Sequence, residues 1–251
     1  LKVGVCEKCW LVQTEDFVSK ERLFTSNYAY LSSASESWLE HCQNFVNYSI
    51  DKFNLSSESF VIEVASNDGY LLQYYKQKSI RCLGIEPTEF ASNIARGKGL
   101  KTISEFLTFE SARKISNKEG KADLVIGNNV YAHVPDIKDF TFGLKQLIKD
   151  SGVISLEFPH LLQLINQKQF DTIYHEHFSY LSLNTVISIF NHAGLRVFSV
   201  EELGTHGGSL RIFGCLKDSY HKQHESVQEI IKKENEFGIT NIATYKQFQE
   251  K

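Results

Sequence analysis

The densest run of reactive side chains in the chain is Y-H-E-H-F-S-Y, Tyr174–Tyr180. Histidine titrates near neutrality, at about pH 6.5 when unperturbed, so a histidine in this run suits proton abstraction. Glu176 can orient a histidine or act as a base itself, and Tyr174 can donate a hydrogen bond to a developing oxyanion. His177, Glu176 and Tyr174 are therefore candidates for taking a proton and steadying the charge left behind. Two plainer readings compete. H-E-H can ligate a metal, but H-x-H places both rings on one face only in a strand, and no H-E-x-x-H is present. The run can also be a solvated loop with ordinary capping roles. Taken singly, His133, His160 and His206 read as structural.

A second constellation lies upstream, in V-I-E-V-A-S-N-D-G-Y-L-L. The apolar run Phe60–Ala65 reads as a strand, and in an open α/β sheet ligands bind beyond the carboxyl ends of strands. Ala65, Ser66, Asn67 and Asp68 lead to Gly69, and the small residues with this glycine let the backbone approach a ligand closely. Glu63 and Asp68 bring negative charge, which repels a pyrophosphate and attracts a sulfonium and an amino group. A second strand, Cys82–Ile85, ends in Glu86 and Pro87, where a carboxylate can accept from both hydroxyls of a ribose. A fourth strand, Ala122–Gly127, runs into G-N-N-V-Y-A-H-V, where Asn128 and Asn129 offer amides and His133 completes the rim. These strand tips together point to S-adenosylmethionine (SAM). A generic dinucleotide fold wants G-x-G-x-x-G after the first strand; that motif and a P-loop are both absent.

The elements that must position these groups follow from periodicity. Trp38, Cys42, Phe45, Val46 and Ile50 recur at helical spacing within 37–53. From Ser59 strands and helices alternate. Helices are expected at 69–76, 88–98, 108–116, 137–149 and 184–193, and strands at 101–103 and 153–158 besides those above. Such alternation implies a parallel sheet with helices on both faces. Two last strands, Arg196–Glu201 and Ser209–Cys215, are joined by too short a link for a crossover, so they form an antiparallel hairpin. The expected fold is α/β: a Rossmann-like class I SAM methyltransferase with a mostly parallel seven-stranded sheet. Three parts are expected: 1–55, 56–217 and a charged helical start over 218–251, with helices running to Phe237 and from Thr244.

The 251 residues suffice for one such domain plus an extension, at about 100–200 residues per domain. A net charge of −3 makes no electrostatic case for nucleic acid. Apolar runs such as Ala122–Ile126 are far too short to span a bilayer. Nothing at the start resembles a signal peptide, so the expected compartment is the cytoplasm. The five cysteines, an odd number without a secretion signal, argue against a disulfide framework. The chain starts at Leu1 and has no Met, which reads as a fragment or as a sequence from which methionines are missing. The oligomeric state is left open.

Taken in order, E-V-A-S-N-D-G-Y-L-L, G-I-E-P-T, G-N-N-V-Y-A-H-V-P-D, E-F-P-H-L, Y-H-E-H-F-S-Y and T-H-G-G-S-L-R-I-F resemble the sugar C-methyltransferase family, whose members act on nucleotide-linked deoxysugars. The last two motifs are the specific ones; generic SAM methyltransferases share the first two or so. The resemblance implies an N-terminal zinc module, a SAM domain and a C-terminal lobe. C-E-K-C matches the second of the module's two cysteine pairs, so Cys6 and Cys9 are implied zinc ligands, and a zinc site takes four. Residues 1–55 then read as the remnant of that module plus a helical linker, 56–217 as the SAM domain, and 218–251 as the start of a lobe that continues beyond Lys251. His177 is the implied base, with Tyr174 and Glu176 as its partners. Y-x-Y-x-S-S resembles the segment carrying a family tyrosine that reaches the active site, which points to Tyr30 rather than Tyr28.

The implied reaction removes a proton next to the carbonyl of a nucleotide-linked keto-deoxysugar, and the enolate takes the methyl group. One rival is an O- or N-methyltransferase of a small metabolite, which would exchange no carbon-bound hydrogen with solvent. The other is a non-catalytic SAM- or nucleotide-binding module, which has no use for a base beside its cofactor.

Overall fold

The structure, a computed structural model, describes residues 1–15 and 30–250. Phe24, Tyr28 and their neighbours lie outside the described residues.

Helix α1 (Glu36–Phe53) starts where the Ser35 hydroxyl accepts from Trp38 N–H and stops at Asn54 in the left-handed region. It buries Cys42, Phe45 and Val46 at the expected spacing, with Ser49 beside them in place of Ile50. Next comes β3 (Phe60–Val64), whose five side chains are all buried. A strand covered on both faces reads as a near-continuous apolar run, broken here by the buried Glu63. It pairs in parallel with β4 (Arg81–Ile85) on one side and β6 (Ala122–Asn128) on the other, and β4 pairs in parallel with β5 (Thr102–Ile103). Helices α2 (Leu72–Gln77), α3 (Glu89–Gly97) and α4 (Phe109–Glu119) follow successive strands, α4 opening on a Thr108–Ser111 capping box.

The second half adds α5 (Ile137–Leu147), β7 (Ile148–Pro159), α6 (Leu161–Gln167), α7 (Leu183–Ala193), β9 (Leu195–Leu203), β10 (Ser209–Leu216), α8 (Ser226–Phe237) and α9 (Ile242–Glu250). Strand β10 is antiparallel to both β7 and β9, and β9–β10 is the short hairpin that the sequence predicts. Seven strands form one mostly parallel sheet in the order β5-β4-β3-β6-β7-β10-β9. Residues 1–15, 128–141 and 154–250 make one compact unit; residues 30–127 and 142–153 make the other.

Two departures from the expected elements bear on the site, besides β7 starting at Ile148 rather than 153 and the unexpected α6. Helix α2 begins three residues later than Gly69, because Asn67 (φ 46°) and Gly69 (φ 77°) are left-handed and cannot belong to a right-handed turn. A second, three-stranded sheet is also present. The N-terminal hairpin β1 (Val3–Val5) and β2 (Val12–Thr14) pairs through β2 with β8 (Ser179–Tyr180). Beneath it Val12, Tyr180, Leu161, Leu164 and Ile239 form one apolar cluster. The Thr185 hydroxyl reaches the Cys9 carbonyl at 3.4 Å across 176 residues of sequence. Among the described residues no helix is long and apolar enough to cross a membrane.

Candidate active site

The bend after β3 is built by backbone geometry that few residues adopt. Ala65 (φ 55°), Asn67 and Gly69 are all left-handed, and Ala65 and Asn67 hold that strain without being glycine. A Cβ on Gly69 would sit 2.2 Å from Leu100 Cδ1, so the Leu100 side chain would have to move, and the positive φ strains any other residue there. Glu86, at the tip of β4, ties the bend down. Its Oε2 accepts Asn67 N–H at 2.9 Å, and its Oε1 accepts Thr88 N–H at 2.8 Å and the Thr88 hydroxyl at 2.6 Å. Pro87, between Glu86 and Thr88 in sequence, has no N–H to donate. A carboxylate has about four lone-pair sites, so one remains for a ligand hydroxyl.

Burial raises Glu86 above the usual carboxylate range, against the Thr88 and Asn67 donors. It raises the fully buried Glu63 well above that range, opposed by the Tyr70 hydroxyl and reinforced by Asp68 and Glu86. The bend is thus a cluster of desolvated carboxyl groups whose charge a bound cation would stabilise. Ser66 Oγ and Asp68 Oδ1 are buried with no hydrogen-bond partner among the described residues, as polar groups awaiting a ligand would be.

A strap closes over this bend. The Asn67 side chain accepts from Ser32 N–H at 2.9 Å and donates to the Tyr30 carbonyl at 3.0 Å. Asp68 Oδ2 takes the Ser33 hydroxyl and, at 3.0 Å, Lys98 Nζ. The structure therefore brings Tyr30 to the cofactor bend through its carbonyl, while its side chain is 61% exposed. The Asn67 amide, expected to face the cofactor, is engaged by the strap.

On the other unit, the end of β6 leads into a second set of polar atoms. Both amide atoms of Asn128, and Oδ1 of the left-handed Asn129, are buried without a partner among the described residues. Asn129 N–H donates to the Glu157 carbonyl at 2.8 Å, which binds the tip of β6 to the carboxyl end of β7.

The Tyr174–Tyr180 run is a loop pinned at three points. Its Phe178 N–H donates to the Ala132 carbonyl at 2.8 Å, Thr14 N–H donates to the Phe178 carbonyl at 3.1 Å, and β8 pairs with β2. His177 is 9% exposed. Its Nδ1 lies 2.7 Å from the Thr172 carbonyl and its Nε2 lies 3.2 Å from the Tyr174 hydroxyl. A carbonyl can only accept, so Nδ1 carries the proton and Nε2 presents its lone pair. Burial lowers the imidazole's pKa, opposed by the Thr172 carbonyl and aided by His206. The ring is thus a neutral acceptor at neutral pH. Thr172, at a position sequence reasoning left blank, orients the ring nitrogen for which Glu176 was expected. The backbone of Glu176 instead faces His133, whose ring packs edge-on against His177 at 4.6 Å.

Burial pushes His133 down to about 3, with His177 adding to the effect. Its folded pKa is below its unfolded value, so the unfolded chain binds more protons between about pH 6.5 and 3. Stability should therefore fall on acidification through that window. Urea titrations at successive pH values should show a shallower acid loss in His133→Asn; an identical slope would contradict the assignment.

Sequence reasoning also passed over Glu157. This carboxylate, fully buried, pairs with Arg211 Nη2 at 2.8 Å and accepts the Thr205 hydroxyl at 2.9 Å. The pair anchors the turn through His206, which is left-handed at φ 51°. Gln169 Nε2 donates to the Gly207 carbonyl at 2.7 Å, joining that turn to the loop that leads into Tyr174. The visible signal was T-H-G-G-S-L-R itself, whose arginine reads as exposed unless its partner strand is known.

Cys6 and Cys9 lie exposed on the tip of the N-terminal hairpin. The Cys6 thiol is lowered by the backbone N–H groups of Cys9 and Lys8 and by the Cys9 side chain. Two such thiols fit half of a zinc site. Among the described residues no group of three or more His, Cys, Asp or Glu is placed to hold a metal.

Comparison with known proteins bears on this arrangement. A methyltransferase domain family matches residues 36–200, and a C-methyltransferase C-terminal domain matches residues 204–251. The C-methyltransferase NovU of Streptomyces niveus is 33% identical over 248 residues, 99% of this chain, and the chain spans 59% of that relative's length. Among solved structures, the PH0226 protein of Pyrococcus horikoshii OT3 superposes with a TM-score of 0.61 at 15% identity, covering 80% of this chain and all of the other. Magnesium protoporphyrin IX methyltransferase of Synechocystis PCC 6803, solved with bound SAH, gives 0.55 at 16% identity, covering 70% and 82%. At these identities the structures speak for the fold, and the sequence matches speak for the lineage. The chain belongs to the methyltransferase domain family.

Proposed function

We propose that the protein methylates a carbon atom of a nucleotide-linked keto-deoxysugar, with SAM as donor and His177 as base. One observation carries this reading. His177 is buried, its Nδ1–H is spent on the Thr172 carbonyl, and its Nε2 lone pair is left beside the Tyr174 hydroxyl. The similarity to NovU supports transfer to carbon. A carbon next to a ketone needs a base before it can act as a nucleophile, and a fixed neutral imidazole supplies one.

When bound, SAM supplies an electrophilic methyl group on a sulfonium. By their buried carboxyls and unpartnered polar atoms, Glu63, Ala65, Ser66, Asp68, Gly69 and Glu86 would hold it; Asn128 and Asn129, with buried amide atoms of their own, are further candidates for the same ligand. Nε2 of His177 takes the proton from the carbon beside the carbonyl, and Tyr174 donates to the enolate oxygen. A bound donor would supply its methyl carbon to the enolate carbon, and the electron pair of the broken carbon–sulfur bond would leave with sulfur. Positioning accounts for much of the acceleration, because the donor is already activated. The remaining candidates, Glu176, Tyr30 and His133, are read as groups around the same reaction. Cys6 and Cys9 are read as two of the four ligands of a structural zinc. A cytoplasmic setting, where thiols stay reduced, fits Cys6 and Cys9 as metal ligands rather than disulfide partners.

The test uses the full-length protein, nucleoside-diphosphate keto-deoxyhexoses and D₂O. With S-adenosylhomocysteine (SAH) in place of the donor, deuterium should enter the carbon next to the carbonyl without methyl transfer. Methylation at oxygen or nitrogen with no deuterium uptake would overturn the reading in favour of the O- or N-methyltransferase. The acid limb of kcat/KM should fall below about pH 6.5, the ordinary histidine value, because burial lowers His177.

A further inference from the structure

Helix α8 contributes a carboxylate that none of this chemistry uses. Glu234 is 0% exposed and fully engaged. Its Oε1 accepts Leu183 N–H at 2.5 Å and pairs with His160 Nε2 at 2.7 Å. Its Oε2 accepts Asn184 N–H at 2.9 Å and Asn184 Nδ2 at 2.7 Å.

The identity of those partners matters more than their number. His160 directly follows β7, and Leu183 and Asn184 open α7. The chain between them carries α6, the short turn Phe170–Thr172 and the Tyr174–Tyr180 run. It is one excursion from the sheet, and its two ends meet at a single carboxylate. The backbone closes the same neck, with Leu161 N–H donating to the Leu181 carbonyl at 3.0 Å. His160 N–H also donates to the Gly208 carbonyl at 3.0 Å, so the residue held by Glu234 holds the turn through His206 as well.

A helix that served only to cover apolar surface would need no buried charge. Val227 and Ile230 already give α8 an apolar face. A buried carboxylate is retained at the cost of desolvation, and it acts only with all its donors in place. It fixes where its donors stand more sharply than apolar packing does.

We propose that Glu234 is a positioning residue for the reaction: by clamping both ends of the excursion, it sets where His177 and Tyr174 stand. This rests on the reading of His177 as the base. It makes α8, which lies in the C-methyltransferase C-terminal match, a working part of the centre.

Glu234→Gln tests it, because the amide turns a donor toward groups that themselves donate. Asn184→Ala is a milder companion that removes one of the four contacts. In full-length protein with ¹⁵N-labelled histidine, the His177 imidazole should lose its single Nδ1–H tautomer in Glu234→Gln and shift partway in Asn184→Ala. Binding of SAH should stay within about twofold, while kcat falls on the order of 10²-fold, as for a reacting group misplaced by about 1 Å. An unchanged His177 spectrum in both folded variants would overturn the proposal, and so would loss of thermal stability with kcat retained. If His177→Ala stays active, the reading of the base fails, and the imidazole spectrum still decides whether Glu234 positions it.

Discussion

His177→Ala is expected to lower kcat/KM by about 10²–10⁴-fold, the usual contribution of a positioned acid or base. Affinity for SAH should stay the same, because the residues read as the cofactor cradle do not include this ring. The loss should appear in kcat, since a proton acceptor acts in the transition state and adds little to ground-state binding. Deuterium uptake into the sugar should disappear in parallel. A variant that still methylates at the parental rate would remove His177 from the chemistry. One that fails to bind SAH would show the ring to be part of the cradle instead. Tyr174→Phe should behave as a weaker version, because it removes one donor to the oxyanion and leaves the base in place.

Glu86→Ala is expected to have the largest effect on the cofactor. The substitution strips acceptors from Asn67 N–H, Thr88 N–H and the Thr88 hydroxyl, all at a buried strand tip. A buried donor left without a partner costs about 1–3 kcal/mol. Part of that cost falls on the folded bend and part on its fit to ligand, so SAM affinity should drop by about 10²-fold, at about 1.4 kcal/mol per factor of ten. Calorimetry with SAH measures this directly. At saturating SAM, kcat should recover most of its value, in contrast to His177→Ala. Undiminished affinity would show that Glu86 does not face the ribose.

Much of the fold was legible because it is local. The strand Phe60–Val64 is an apolar run bounded by Ser59 and by the bend, and the left-handed residues of that bend explain why α2 starts late. The order of elements and the β9–β10 hairpin likewise follow from periodicity and link length. What stayed hidden depends on partners distant in sequence. Nothing near Thr172 marks its carbonyl as the acceptor for His177, since every residue has a carbonyl and only the folded loop selects one. Glu157 and Arg211 sit 54 residues apart and become a pair only when β10 lies against β7. Glu234 lies in a charged stretch that reads as a solvated helix face, and only the tertiary fold shows it fully buried. Asn67 was read correctly as part of the bend, but its amide holds the strap at Tyr30 and Ser32.

The pairing of β2 with β8, and the contact from Thr185 to Cys9 across 176 residues, also constrain how the molecule comes into being. A nascent chain presents the β1–β2 hairpin well before β8, with an edge that has no strand to join until β8 emerges from the ribosome. Contacts this distant close late, since the entropy of the intervening loop must be overcome first. The Tyr174–Tyr180 loop thus takes its final shape only after β2 and β8 have paired and α8 has been synthesised. Until then the waiting edge is open to wrong pairing with another chain.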